Sequence, residues 1–233
     1  MEYQFEKVEV DIVAIERSKA ELDQAVDSKR EKEVSTDVDK TYKQLKKSLD
    51  EIKSRLEDLK GKVESGAVTL DEKEKEIILT KVGAYYVELK NKLTHASGVY
   101  SEFKNKSKSR LAKQVRNIDT NNQYDDQELD RIIDEDPEVL QKMVKQQVLG
   151  KASLKMQYAA QDILDKCQGI KTLQRNVREL MDMLKEISQI VQLQGEQVNS
   201  IAAHCDAAKN HMVSANKNLE KAKEHHSGMR CVG

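Results

Sequence analysis

One column of apolar positions dominates the chain. It runs Ile170, Leu173, Val177, Leu180, Leu184, Ile187, Val191, Gln194, Val198, Ile201, Cys205, Ala208, Met212, Ala215, Leu219 and Ala222, and its steps alternate three and four residues throughout. That spacing keeps every one of these side chains on one seam of a helix and predicts a coiled coil. As one helix the column reaches about 80 Å at 1.5 Å per residue. Its one polar seat, Gln194, lies near the middle, as expected of a rod assembled in register with partner helices.

Three shorter tracts precede it. In the first, Phe5, Val8, Ile12, Ile15, Leu22 and Val26 keep the same rhythm with one break at Lys19, and the charge run from Lys29 to Glu33 is expected to end it. Ser35 and Thr36 are candidate caps for the next helix. That tract is the cleanest of the three: Tyr42, Leu45, Leu49, Ile52, Leu56, Leu59 and Val63, with Gly66 just past its end, where a helix tends to stop. The third starts near Asp71, runs to about Arg116 and buries Ile78, Val82, Tyr85 or Tyr86, Leu89, Leu93, Ala96, Tyr100 and Phe103. One stripe cannot be buried alone, so the three tracts predict an up-down-up antiparallel bundle.

Polarity then changes. Nine acidic residues fall within 117–138, from Asp119 to Glu138, with the turn-prone pair Asn121-Asn122. This stretch reads as a linker with a short helix around Glu128 to Ile133. Asp136-Pro137 has the form of an N-cap with proline at the first helical position. From there a helix through Leu140, Met143 or Val144, and Val148 approaches the long seam, with Gly150 and Gly169 as weak points. The fold expected is all-α, with four regions: a three-helix domain over 1–116, an acidic linker with short helices over 117–149, a long coiled-coil helix over 150–226 and a tail over 227–233.

Composition agrees. Charged residues make up 35% of the 233, aromatic residues only 4%, and the net charge is −1. Balanced charge and few aromatics suit long helices with solvated, salt-bridged faces. The near-zero charge argues against nucleic-acid binding, which needs a basic surface. Cys167, Cys205 and Cys231 are odd in number and have no C-x-x-C spacing, which points to a reducing compartment. No apolar run approaches the ~18 residues of a membrane span, and the first residues do not form a signal peptide.

Catalytic chemistry finds no foothold. His204 and His211 lie seven apart, where helical zinc ligands usually lie four apart. Cys205 beside His204 points about 100° away from it on a helix. The glycines are scattered and form no phosphate-binding loop. No enzyme activity, cofactor or metal is expected.

Gln194 has two explanations on pattern alone. It either specifies register within a mixed bundle or interrupts the seam of an ordinary homodimeric scaffold or tether. Its surroundings bear on the choice. Arg178-Glu179-Leu180, then Val191-Gln192-Leu193-Gln194-Gly195-Glu196-Gln197-Val198, then Ile201, resemble the SNARE motif of the syntaxins, most closely those of the plasma membrane. Seven seam positions precede Gln194 and eight follow it, as do the layers of that family. Phe5-Glu6-Lys7-Val8-Glu9 resembles the start of its first N-terminal helix, and the three tracts resemble its regulatory Habc domain.

The resemblance implies a t-SNARE for vesicle docking and exocytosis, with the fifteen apolar positions as core layers and Gln194 as the central layer. That glutamine would join two others around an arginine, whose donors need several acceptors. The implied partners are a synaptobrevin-like R-SNARE, a synaptosomal-associated-type Q-SNARE, a Sec1-family regulator, and a disassembly ATPase with its adaptor. Leu129-Asp130 resembles the Leu-Glu pair of the family's control linker, so the N-terminal bundle is expected to fold onto the SNARE helix. The sequence departs from the family in Asn199 after Val198, where an aspartate is frequent, and in showing helical rhythm from Phe5, where an N-terminal docking peptide is expected. The family's C-terminal membrane anchor is absent from the 233 residues. The expected setting is the cytosolic face of a membrane, the plasma membrane by resemblance, with tail anchoring in the full-length protein.

Overall fold

A computed structural model of the chain describes residues 1–118, 125–135, 139–140, 142, 144–145 and 154–228; it describes no side chain at 118, 126, 130, 134–135, 155 or 194–228. The fold is all-α, as expected, and no strand occurs among the described residues. The helices are α1 (Glu2–Gln24), α2 (Ser28–Glu64), α3 (Glu72–Ile118), α4 (Asp126–Glu135) and α5 (Leu154–Gly228). Contacts divide the chain into two compact units, Met1–Arg55 with Glu88–Ile187, and Leu56–Val87 with Ser188–Gly233.

The α1–α2 corner corrects the sequence reading. The charged run 29–33 does not end a helix; it lies in the first turns of α2, which begins at Ser28. Asp27 provides the cap, its Oδ1 accepting the Arg30 N–H at 2.8 Å. The charges are then neutralised where they stand. Arg30 reaches Glu21 at 2.6 Å, and the buried Glu31 meets Lys166 at 2.5 Å and also Arg110. Thr36 is no cap, since its hydroxyl donates to the Lys32 carbonyl one turn back at 2.8 Å. Because α1 stops at Gln24, Val26 leaves the seam and is 98% exposed, while Ala25 turns inward.

In the first unit α1 buries Phe5, Val8, Ile12, Ile15 and Leu22; α2 buries Val34, Val38, Tyr42, Leu45, Leu49 and Ile52; α3 buries Leu89, Leu93, Ala96, Val99, Tyr100 and Phe103. The polar pairs give their directions. Gln4 with Arg55 and Glu21 with Arg30 make α1 and α2 antiparallel. Glu9 with Lys92, Glu16 with His95 and Asp23 with Lys106 make α1 and α3 parallel. Lys19, the break in the first stripe, ion-pairs with Glu102.

The second unit holds the end of α2 and the start of α3. Gly66 adopts φ 69°, Gly66 N–H donates to the Val63 carbonyl at 3.4 Å, and Ala67 N–H to the Lys62 carbonyl at 3.2 Å. This paired pattern ends α2 where the sequence predicts, because glycine takes the left-handed conformation without a Cβ clash. Asp71 and Glu74 then form a reciprocal capping box, at 2.8 and 2.9 Å, that starts α3. Of the two candidate tyrosines, Tyr86 is the buried one, 1% exposed.

The acidic stretch is partly structured. Asp125 and Glu128 form a second capping box at the start of α4, at 2.8 and 3.2 Å. Leu129 and Ile133 of α4, with Leu140 and Val144, join a buried cluster with Leu111, Ala112 and Val115 of α3 and Ala160, Ile163, Cys167 and Ile170 of α5. Asp136-Pro137, Met143, Val148 and Gly150 lie outside the described residues.

Candidate functional site

The site is the face that residues 154–187 of α5 present to the rest of the first unit. Five predicted layer residues are buried there: Ile170, Leu173, Val177, Leu180 and Ile187. Leu184 and Val191 are half-buried. The stripe also extends earlier than predicted, through Ile163 and Cys167, which continue the four-three step. Burial pushes the Cys167 thiol up to about 11, so it stays protonated and acts as an apolar packing group. The side chains of Gln194, Val198, Ile201, Cys205, Ala208, Met212, Ala215, Leu219 and Ala222 lie outside the described ones, as does that of Asp130; their backbone is helical. Leu129 is fully buried against α3 and α5.

Polar groups fix how this face sits. Asn176 is only 2% exposed, and its Nδ2 donates to the Tyr100 hydroxyl of α3 at 2.9 Å. The single proton of the Tyr42 hydroxyl lies between the Asn176 carbonyl at 3.1 Å and Glu179 Oε2 at 2.9 Å. Lys46 Nζ donates to the same carboxylate at 2.6 Å. The two phenol rings pack at 5.0 Å, tilted by 46°. The Lys46 ammonium, with the Tyr42 hydroxyl helping and burial opposing, holds the Glu179 carboxyl below its usual range. Burial raises both phenols, and the Glu179 hydrogen bond and charge add to the rise at Tyr42, so both stay neutral and able to donate.

Further pairs flank this centre. Lys32 reaches Asp165 at 2.9 Å and Lys53 reaches Glu186 at 2.6 Å. Ser28 hydrogen-bonds Asp162, Lys166 donates to Gln114 at 3.0 Å, and Lys166 joins Glu31 and Asp162. The pairs run in the same direction along α2 and α5, and in opposite directions along α3 and α5. The helix therefore completes a four-helix arrangement in which α1 and α3 oppose α2 and α5.

Sequence reasoning names the apolar layers but not Asn176, Tyr42, Tyr100 and Glu179 as a unit. The available signal was weak: an asparagine beside a layer residue, and lysines and carboxylates at matching heptad spacing on two separate tracts. No group of three or more His, Cys, Asp or Glu side chains with metal-binding geometry occurs among the described residues. Nor is any helix there long and apolar enough to cross a membrane. The arrangement sequesters the apolar stripe of Ile163, Cys167, Ile170, Leu173, Val177, Leu180 and Ile187.

Residues 161–232 match the family model described as the SNARE domain. Over 75 residues the chain is 31% identical to Syntaxin-111 of Oryza sativa subsp. japonica, an alignment covering 31% of this chain and 24% of that protein. The match thus spans about a quarter of the length of this curated relative.

Proposed function

We propose that this chain, which is similar to the SNARE domain family over residues 161–232 and to a syntaxin, is a syntaxin-type SNARE that serves membrane fusion as a t-SNARE whose own N-terminal bundle holds the SNARE helix in a closed, partner-excluding state. The observation that supports this is the burial of Ile170, Leu173, Val177, Leu180 and Ile187 against the first unit. Those are the layers at which partner helices would begin to pack. A layer cannot serve two cores at once, so docking and assembly compete.

On release, a synaptobrevin-like helix and helices of a synaptosomal-associated-type protein zip on from Ile170 towards Ala222. Each buried apolar side chain contributes about 1.5–3 kcal/mol before entropy is subtracted. Gln194 forms the central polar layer with two glutamines and an arginine. An anchor beyond the C-terminal end, of the kind the resemblance implies, converts zippering into apposition of two bilayers at the cytosolic face, with the plasma membrane as the proposed site. Leu129 of α4 secures the closed state. A Sec1-family protein binds the docked form, and an ATPase with its adaptor recycles the assembled one.

The test mixes the chain, with and without residues 1–116, with the two partner SNAREs and follows complex formation. The shortened chain should assemble on the order of tenfold faster or more, because the competent fraction of the full chain is small. Equal rates would remove the closed-state part. A stable homodimer that ignores every partner would replace the whole proposal with a scaffold.

A further inference from the structure

The contacts between α2 and α5 share one register. Lys32 with Asp165, Lys46 with Glu179 and Lys53 with Glu186 are each separated by 133 residues. The rungs fall at heptad spacing on both helices, the arrangement by which flanking charges select orientation and pairing in coiled coils. One rung of that ladder is different. The same offset sets Asp39 opposite Thr172, and both line a cavity of about 280 Å³ between the helices. Asp39 is tied to its own helix by Lys43 at 2.7 Å and forms no ion pair with α5 among the described residues.

An apolar heptad stripe has a specific weakness. A slip by seven residues returns apolar side chains to apolar seats, so hydrophobic burial discriminates poorly between neighbouring registers. The lysine rungs discriminate only in part. Moving α5 one heptad keeps one of the three, Lys46 facing Glu186 in one direction or Lys53 facing Glu179 in the other, and leaves the other two lysines without a carboxylate. Asp39 behaves differently. A slip one way sets it against Glu179, and a slip the other way sets it against Asp165.

We propose that Asp39 is a register-determining residue of the docked state, accepted where Thr172 faces it and repelled by a carboxylate in either adjacent heptad register. This deepens the closed-state reading and rests on it. The role is selectivity by penalising alternatives, which a weak surface charge performs better than it adds stability. Asn176, buried against Tyr100, supplies a second and interior tie to the same register.

The test measures distances by paired spin labels at the exposed positions Gln44 and Arg178, which leaves the Lys43–Asp39 pair intact, with the three native cysteines replaced. The unaltered chain should give one distance population. Asn176→Leu, which removes the interior tie, should keep that population, because Asp39 still rejects the slips. Asn176→Leu with Asp39→Lys should add a population displaced by about 10 Å along the axis, one heptad of helix, since the ammonium introduced on α2 gains Glu179 or Asp165. If Asn176→Leu alone slips, or the double variant does not, the assignment to Asp39 is overturned. Should Asn176→Leu abolish docking, the comparison uses Asp39→Lys in the otherwise unaltered chain. There, weakened exchange protection over 154–187 without any slipped population counts against the proposal, and a slipped population supports it. Failure of the unaltered chain to give any defined distance would instead remove the closed state itself.

Discussion

At the scale of single residues, three carboxyl or amide groups make separate predictions. Glu179 has its pKa lowered in the folded chain by Lys46 and the Tyr42 hydroxyl. A depressed carboxyl stabilises the state in which it is depressed at pH values above its ordinary pKa, and that contribution is lost as pH falls through the folded value. Docking of α5 should therefore weaken on acidification from about 4.5 downwards, read as loss of the single spin-label distance, and Glu179→Gln should flatten that profile. Asp11 is the opposite case. It is 7% exposed on α1, its Oδ2 has no hydrogen-bond partner, and burial raises its pKa. Its charged form opposes folding, so Asp11 favours the fold below its unfolded pKa and loses that benefit as pH rises. Asp11→Asn should raise thermal stability at pH 7 by about 1 kcal/mol, with the gain vanishing near pH 3, as thermal unfolding at both pH values would reveal. Gln194→Leu should leave assembly intact, because leucine packs well at a seam. It should blur register or slow ATP-driven disassembly, and a clean register with an unchanged disassembly rate would remove the amide's role.

The elements carry a different kind of information. α5 continues without interruption through Gly169, a position that sequence reading marks as a weak point. A Cβ at Gly169 would meet nothing within 4 Å. Gly169→Ala should therefore strengthen helix and docking together by about 0.5–1 kcal/mol, chiefly by restricting the unfolded chain. Hydrogen exchange across 160–180 measures it, and a loss of protection there would mean the space is not open. The start of α2 shows how element boundaries mislead. A run of charges between Lys29 and Glu33 reads as a loop in one dimension. In three, Glu21, Arg110 and Lys166 stand ready to neutralise it, and an Asp27 cap is enough to begin the helix there. Gly66 misleads nobody, because its left-handed turn is a local property.

At the scale of the whole molecule, the proposed closed state has docking and assembly draw on the same apolar stripe, which makes their coupling reciprocal. On that proposal, whatever the bundle withholds from partners, partners withhold from the bundle. Assembly with the partner SNAREs should expose Tyr42 and Tyr100, which are 3% and 0% exposed in the docked state. Oxidative footprinting of those two rings should rise on complex formation, and rings that remain protected would show that the bundle groove stays filled.

What could be known from the residues alone was whatever depends on neighbours along the chain. The helical class, the sixteen-position column, the stop at Gly66 and the start near Asp71 follow from periodicity and local capping, which act over a turn or two. So does the choice of Gln194 as the odd seat in an apolar column. The fold alone decided which surface the first layers of the column, Ile170 to Ile187, meet. Asn176, Tyr42, Tyr100 and Glu179 converge from α2, α3 and α5, and the rungs of the ladder lie 133 positions apart. An amphipathic stripe declares that it must be covered; it does not declare by what, because apolar burial has no direction. Direction came from a few polar groups whose partners exist only once the helices have packed.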